Sequence, residues 1–395
     1  MPVWNDPYQL ISNWLQQLLL SWGISPDITL LLLFTIGGGT LAMGAMLWVT
    51  VLIWYERKII GRIQDRFGPN RVGPWGIFQT FADMIKIFTK EHITPEGIDI
   101  VPFNLAPVIA VGAVLANWAV IPFTISMVGT NLNVAVLYVL AVGGLGELGI
   151  VFGGWGSNNK FALLASFRAV AQLISYETPY VICLLIPVML AGSMGLNDIV
   201  KAQQDVWFVF LAPVAALIFF VTSIAEVGRA PFDLVEAESE LVSGFNIEYS
   251  GLKFGMFYVA DFLHAFTISL LFAVLFMGGW GGPGADTWPI LGFVYLFIKT
   301  SLAYFMVILL RASLPRFRID QMMNFNWKML TPLSLTMVAA TALVNKLLPA
   351  DNLWLRVAGL LLMNMVLWFA ADWLLGIYWR RKLKALVTPF DDENT

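Results

Sequence analysis

Several ionisable residues stand where lipid would be expected. Glu147, Glu177, Glu226, Asp261, Lys299 and Asp372 all lie inside long apolar runs. A charge in a bilayer is costly, so such residues are functional candidates by default. Burial raises the pKa of a carboxyl and lets it exchange protons near neutral pH. A second group of acids follows the run that ends at Glu226: Asp233, Glu236, Glu238, Glu240 and Glu248, preceded by Arg229. On a helix, Glu236 and Glu240 would share a face at i, i+4. Their mutual repulsion would raise one pKa and make the group sensitive to a nearby charge. A row of such acids is what a proton relay requires. The plain alternative is that each acid is paired, with Arg168 or Lys299 for example, and ties helices together; the acid-rich loop would then be a solvated connection.

A third set precedes these. Glu56-Arg57-Lys58 leads through Gln64-Asp65-Arg66 to the turn signal Gly68-Pro69-Asn70. From Trp75 to Phe88 the pattern turns helical. Ile77, Phe81, Met84, Ile85 and Phe88 share one face, and Gln79, Asp83, Lys86 and Lys90 another. This helix is too polar to span and should lie in the membrane interface. It could be a simple anchor. It could also be the lip of a portal for a molecule with an apolar tail and a polar ring, as a quinone has. Gly144-Leu-Gly146-Glu-Leu-Gly149 fits G-x-G-x-x-G but lies within an apolar run. The dinucleotide fingerprint needs a strand before it and a helix after it, so close helix packing is the better reading.

These residues need a scaffold, and composition defines it. Of 395 residues, 58% are hydrophobic and 12% charged, about half the charged share of a soluble domain. Mean hydropathy is +0.76. The fold class is therefore an all-α polytopic membrane protein, read as a single membrane domain over 1–395. Nine apolar runs fit the roughly 20 residues a spanning helix needs: 29–55, 102–126, 133–152, 161–191, 207–227, 254–278, 289–311, 331–348 and 354–379. Pro179 and Pro187 should tilt or kink the fourth. Residues 9–20 suit a short amphipathic surface helix. No basic segment opens the chain, so no cleaved signal peptide is expected. Of the 23 lysines and arginines, all but Lys201, Lys299, Lys346 and Arg356 fall on one side. The positive-inside rule makes that side cytoplasmic, with the N-terminus outside and the C-terminus in the cytoplasm. Residues 56–91, 228–253 and a solvated tail, 380–395, form most of that side. On this topology Glu226 sits at the inner end of the fifth span. Glu147 lies roughly 8 Å and Glu177 roughly 24 Å from the inner ends of theirs, a staggered series.

Composition also excludes functions. One cysteine, Cys183, and two histidines, His92 and His264, cannot ligate an iron–sulfur cluster or the bis-histidine haems of a cytochrome b. The chain should hold no metal or redox centre. Asp261 and His264, at i, i+3, could touch and are taken as structural.

Three blocks carry a resemblance: Glu56 through Arg71 to Lys90-Glu91, Glu226-Val-Gly-Arg229-Ala-Pro-Phe-Asp233 through Glu236-Ala-Glu238-Ser-Glu240 to Glu248-Tyr-Ser-Gly251, and Arg311-Ala-Ser-Leu-Pro-Arg316-Phe-Arg318-Ile-Asp320-Gln321. In this the chain resembles the H-subunit (mitochondrial subunit 1) family of NADH:quinone oxidoreductase, respiratory complex I. The resemblance covers nearly the whole chain. Val227-Gly228 and Val235 depart from the residues common in that family, without removing a charged position. The ninth span is similar to the extra C-terminal helix of some bacterial members.

The resemblance implies a component between the membrane and peripheral arms, with quinone as substrate entering between the first span, the interfacial helix and the sixth span. Glu56, Arg57, Arg66 and Asp83 are then quinone chamber or portal residues. Glu226, Asp233, Glu236, Glu238, Glu240 and Glu248 form an acidic funnel beneath it. Glu147 and Glu177 continue the proton path, supported by Arg229 and Lys299. Implied partners are the iron–sulfur subunits of the peripheral arm, small membrane subunits, antiporter-like subunits and lipid, with no nucleic acid. Flavin and iron–sulfur clusters would belong to those partners, in a bacterial plasma membrane. Two alternatives stand beside this reading: the anchor of a related energy-converting hydrogenase, and a stand-alone proton-coupled transporter.

Overall fold

The computed structural model describes residues 6–235, 242, 244–348 and 353–387, so Glu236, Glu238 and Glu240 lie outside the described residues. All the regular secondary structure of the described residues is helical. Eight of its helices are long and apolar enough to cross a membrane. The first four and the sixth to ninth spans are Pro26–Ile63, Ile100–Trp118, Ala135–Gly156, Lys160–Ala191, Gly251–Phe276, Pro289–Ser313, Thr331–Leu347 and Leu353–Val387. The eighth is preceded by a short helix, Ile319–Phe325, and one π-turn, Asn326–Leu330. The expected surface helix is present as Pro7–Ser21, started by Asp6, whose carboxylate accepts from Tyr8 N and Gln9 N. The ninth helix continues through 380–387, the first part of the segment expected to be a solvated tail.

The fifth span departs from the expected single helix. It is two pieces, Phe208–Leu211 and Pro213–Val227. The longer piece covers only about 22 Å at 1.5 Å per residue. Pro213 is the cause. It has no N–H to donate, and its ring drives the preceding residue out of the helical region. Ala212 accordingly sits at φ −136°, ψ 63°. The fourth span, by contrast, runs unbroken through Pro179 and Pro187 for 32 residues. At about 48 Å it exceeds the hydrocarbon thickness and must tilt or protrude.

The sixth span is the hub of the bundle. It packs on the first, second, fifth and seventh, and Trp118 Nε1 of the second donates to its Thr267 Oγ1 at 2.7 Å. Glycines bring the third span close to its neighbours. A Cβ on Gly154 would lie 2.3 Å from Ser166 Cβ, and one on Gly156 2.6 Å from Phe103 N. The Gly144–Gly149 segment is interior to the third helix, so it cannot cradle a nucleotide; of its glycines Gly149 serves packing, a Cβ there lying 3.1 Å from Ala106 O of the second span, whereas Gly144 faces open space.

Gly154→Val should therefore separate the third and fourth spans, costing about 1–3 kcal/mol through overpacking. Gly144, with nothing within 4 Å of its would-be Cβ, should accept alanine without loss. Thermal unfolding of the detergent-solubilised protein distinguishes the two.

Candidate functional site

The basic end of the bundle is organised around Glu56. The first span is 38 residues long, so its last turns extend beyond the apolar core and carry Glu56 to the membrane boundary. Glu56 is nonetheless only 2% exposed. Arg229 Nη1 donates to its Oε2 at 2.5 Å, Tyr304 Oη donates to the same oxygen at 3.0 Å, and Arg311 Nη1 donates to Oε1. Local structure explains each partner. Gly228, at φ 68°, ends the fifth helix in the left-handed conformation that glycine adopts without penalty. The chain turns back there and aims Arg229 into the bundle, over the Phe262 ring at 4.5 Å. Tyr304 and Arg311 are seven residues apart, two turns along one face of the seventh span. Burial lowers the proton affinity of Arg229, but Glu56 beside it raises it further than burial lowers it.

Arg57, the next residue, faces the other way. Its Nη1 donates to Asp83 Oδ2 at 2.6 Å, and Gln79 and Lys86 also approach Asp83, at 3.4 Å and 3.7 Å. Asp83 belongs to the interfacial helix Gln79–Thr89. That helix docks by a mixed face, with Thr80 buried and Gln79, Phe81, Asp83, Met84 and Ile87 partly so, while Ile85, Lys86, Phe88 and Lys90 are exposed. Burial pushes the Asp83 carboxyl up, but the Arg57 guanidinium and its neighbours bring it below its ordinary value of 3.8. Arg66 joins neither cluster; its Nε donates to Gln64 in the exposed loop.

The acids of the spans meet behind the Glu56 cluster. Two small cavities share Asn117, Glu226 and His264 as lining residues. The smaller also reaches Glu177 and Tyr180, the larger Glu147 and Asp261. Five spans, the second to the sixth, thus bring polar side chains to one interior. Glu147 Oε1, Glu226 Oε2 and Asn117 Oδ1 are buried and meet no hydrogen-bond donor among the described residues. Arg229 links this interior to Glu56, since its guanidinium binds Glu56 and lies over the ring of Phe262, between Asp261 and His264 on the sixth span.

The remaining candidates are more dispersed. Glu248 accepts from Asn159 at 2.7 Å, beside the start of the fourth span. Asp233 is partly buried on the loop after the fifth span, and Gln172 clamps that loop by donating to the carbonyls of Ala225 and Phe232. Lys299 is held far along the seventh span, donating to the carbonyls of Gly279 and Gly281 at 2.9 and 2.8 Å under the Trp207 ring. Sequence reasoning missed Tyr304 and Arg311 as partners of Glu56, and Asn117 and Tyr180 as cavity residues. The one signal available was the seven-residue spacing of Tyr304 and Arg311. Among the described residues no group of three or more His, Cys, Asp or Glu is placed to hold a metal ion.

Fold and site together define a polytopic helical membrane protein with a buried charge cluster at one end and acid-lined cavities behind it. The profile of the NADH dehydrogenase family matches residues 38–342. Among similar proteins, the H-subunit of the NADH-quinone oxidoreductase of a Geobacillus species is 43% identical over 84% of this chain and 99% of its own length. The corresponding H-subunits of Anoxybacillus flavithermus and Dehalococcoides mccartyi are 45% and 46% identical, over 80% and 77% of this chain and 94% and 84% of their own lengths. The chain belongs to this family, that of the NADH-quinone oxidoreductase H-subunits.

Both clusters can be tested by charge removal. Glu56→Gln leaves two arginines, one of them buried, without their counter-charge and should destabilise the protein by about 3–5 kcal/mol. Tyr304→Phe should cost about 1–3 kcal/mol; thermal melting reads both. The Arg57–Asp83 pair should hold the interfacial helix above the ordinary carboxylate value and release it as pH falls through the depressed value, because protonation removes the charge that binds Arg57. Amide exchange over 79–89 should therefore show constant protection from pH 7 to 5 and lose it only in stronger acid.

Proposed function

We propose that the chain is the membrane component of a proton-translocating NADH:quinone oxidoreductase that couples quinone reduction to proton movement through buried carboxylates. The observation that carries this reading is geometric: two cavities that share Asn117, Glu226 and His264 reach Glu177 and Glu147, behind the buried Glu56–Arg229 cluster.

The family and the sidedness of the charges support a chamber at the basic end, formed with peripheral-arm subunits that bring electrons from their own flavin and iron–sulfur centres. Quinone enters from the bilayer past the first span, the interfacial helix and the sixth span. Reduction to quinol takes two electrons and two protons, and negative charge builds where protons are lacking. Glu56, locked by two arginines and a tyrosine, holds a fixed charge distribution beside the chamber. The acids after Arg229, Asp233 and Glu248 with Glu236, Glu238 and Glu240, supply the groups whose protonation changes with that charge. Glu226 then exchanges with Glu147 and Glu177 across the cavities as linked titrations. His264, common to both cavities, extends the relay, since imidazole can accept and donate a proton at different nitrogens; Asn117 beside it offers hydrogen bonds only. Antiporter-like and small membrane subunits receive the signal. The sidedness of the basic residues supports an N-terminus outside and a C-terminus in the cytoplasm, in a bacterial plasma membrane.

Glu226→Gln removes a titratable group but keeps its size. In vesicles carrying the assembled complex it should lower quinone reduction and proton pumping together, by tenfold or more. Normal coupled turnover in a fully assembled Glu226→Gln complex would overturn this role.

A further inference from the structure

The break in the fifth span leaves a backbone problem in the apolar interior. Val214, in the first turn of the Pro213–Val227 helix, has an N–H with no intrahelical acceptor. Leu211, last in its short helix, has a carbonyl in the same position. Bilayer hydrocarbon offers neither a partner, so both must be satisfied by protein. Asn364 of the ninth span does this. Its Oδ1 accepts from Val214 N at 3.3 Å, and its Nδ2 donates to the Leu211 carbonyl at 3.1 Å and to its own helix at Leu360, 2.8 Å. Asn364 is 1% exposed, although Leu362 and Met365 near it face outward. An asparagine is a poor choice for an apolar helix interior unless its amide is used. The family match ends at residue 342, so this helix lies outside the family profile.

We propose that Asn364 is a positioning residue: it latches the two halves of the fifth span, and through that helix the ninth span sets the place of the acid-lined cavities. The path is short. The latched helix carries Phe219, whose ring stacks on Tyr180 at 4.8 Å, and Glu226 lies in its last turn. Tyr180 and Glu226 both line the smaller cavity. The ninth span is then a working part of the coupling apparatus. The latch itself stands on geometry alone; its effect on proton movement rests on the function proposed above.

The test uses the assembled complex in vesicles. In the unaltered protein the Val214 amide should exchange with deuterium slowly, despite lying outside the helical ladder; rapid exchange there would overturn the latch without any variant. Asn364→Leu keeps the volume and removes the amide. It should speed exchange over 208–216 at least tenfold and lower quinone reduction and proton pumping together by about half. Asn364→Asp, neutral in this apolar setting, keeps one acceptor and one donor and should restore most of both. Leu362→Ala on the outward face should change neither. Unaltered exchange in Asn364→Leu would sink the latch. Faster exchange with unaltered quinone reduction and proton pumping would sink its link to coupling, provided Glu226→Gln lowers turnover. If Glu226→Gln is also silent, the function proposed above is what has failed, and exchange alone decides the latch.

Discussion

Glu56 cannot be buried alone. Removing a carboxylate from water costs several kcal/mol, and only close opposite charge and hydrogen bonds return it. Here three elements must converge to supply them: the end of the first span, the turn after the fifth and the inner part of the seventh. Arg229 in turn needs Glu56, and the Phe262 face beneath it. Each partner would be a liability without the others. The cluster therefore fixes the relative placement of three spans more strictly than apolar packing could, because lipid tails compete with side chains for apolar contact but cannot replace an ion pair. The rest of the basic end is registered to it. Arg57 follows Glu56 in sequence and so must face the interfacial helix; Phe317 N, beyond Arg311, donates to the Pro231 carbonyl at 3.0 Å.

The acids of the spans obey a different rule. Among the described residues no arginine pairs with Glu147 or Glu226, and parts of their carboxyls meet no donor. Two kinds of buried acid thus coexist. One is locked by cations and suits a fixed field. The other borders cavities and suits proton exchange. Arg229 stands between them, a permanent charge felt by both.

The bundle also shows how polar backbone is managed in an apolar setting. Where the third span approaches its neighbours, glycine removes the side chain. Where Pro213 interrupts the fifth, a side chain from a remote helix replaces the missing ladder. Gln203 does similar service at the opposite end, accepting from Phe208 N and Gly278 N while donating to the Val274 carbonyl. Lys299 caps the same region by binding two carbonyls, so its charge is held by loop backbone and not by an acid of a span.

Composition and periodicity by themselves determined that this is a helical membrane protein, where most of its spans lie, and that an amphipathic helix follows the first. These are properties of local chain chemistry: twenty apolar residues in lipid have little choice but helix. The three charged blocks also determined the family. Tertiary structure alone decided which charges meet. Glu56 lies 173 residues from Arg229 and 255 from Arg311, and no local pattern encodes such a contact. It also decided that Glu56 and Arg57, adjacent in sequence, serve separate clusters, that Asn117 and Tyr180 belong with the acids, and that Asn364 closes the gap at Pro213. The proline itself stands in plain view in the sequence. Its remedy does not, because the satisfaction of a buried polar group depends on whatever the rest of the fold brings within hydrogen-bonding distance of it.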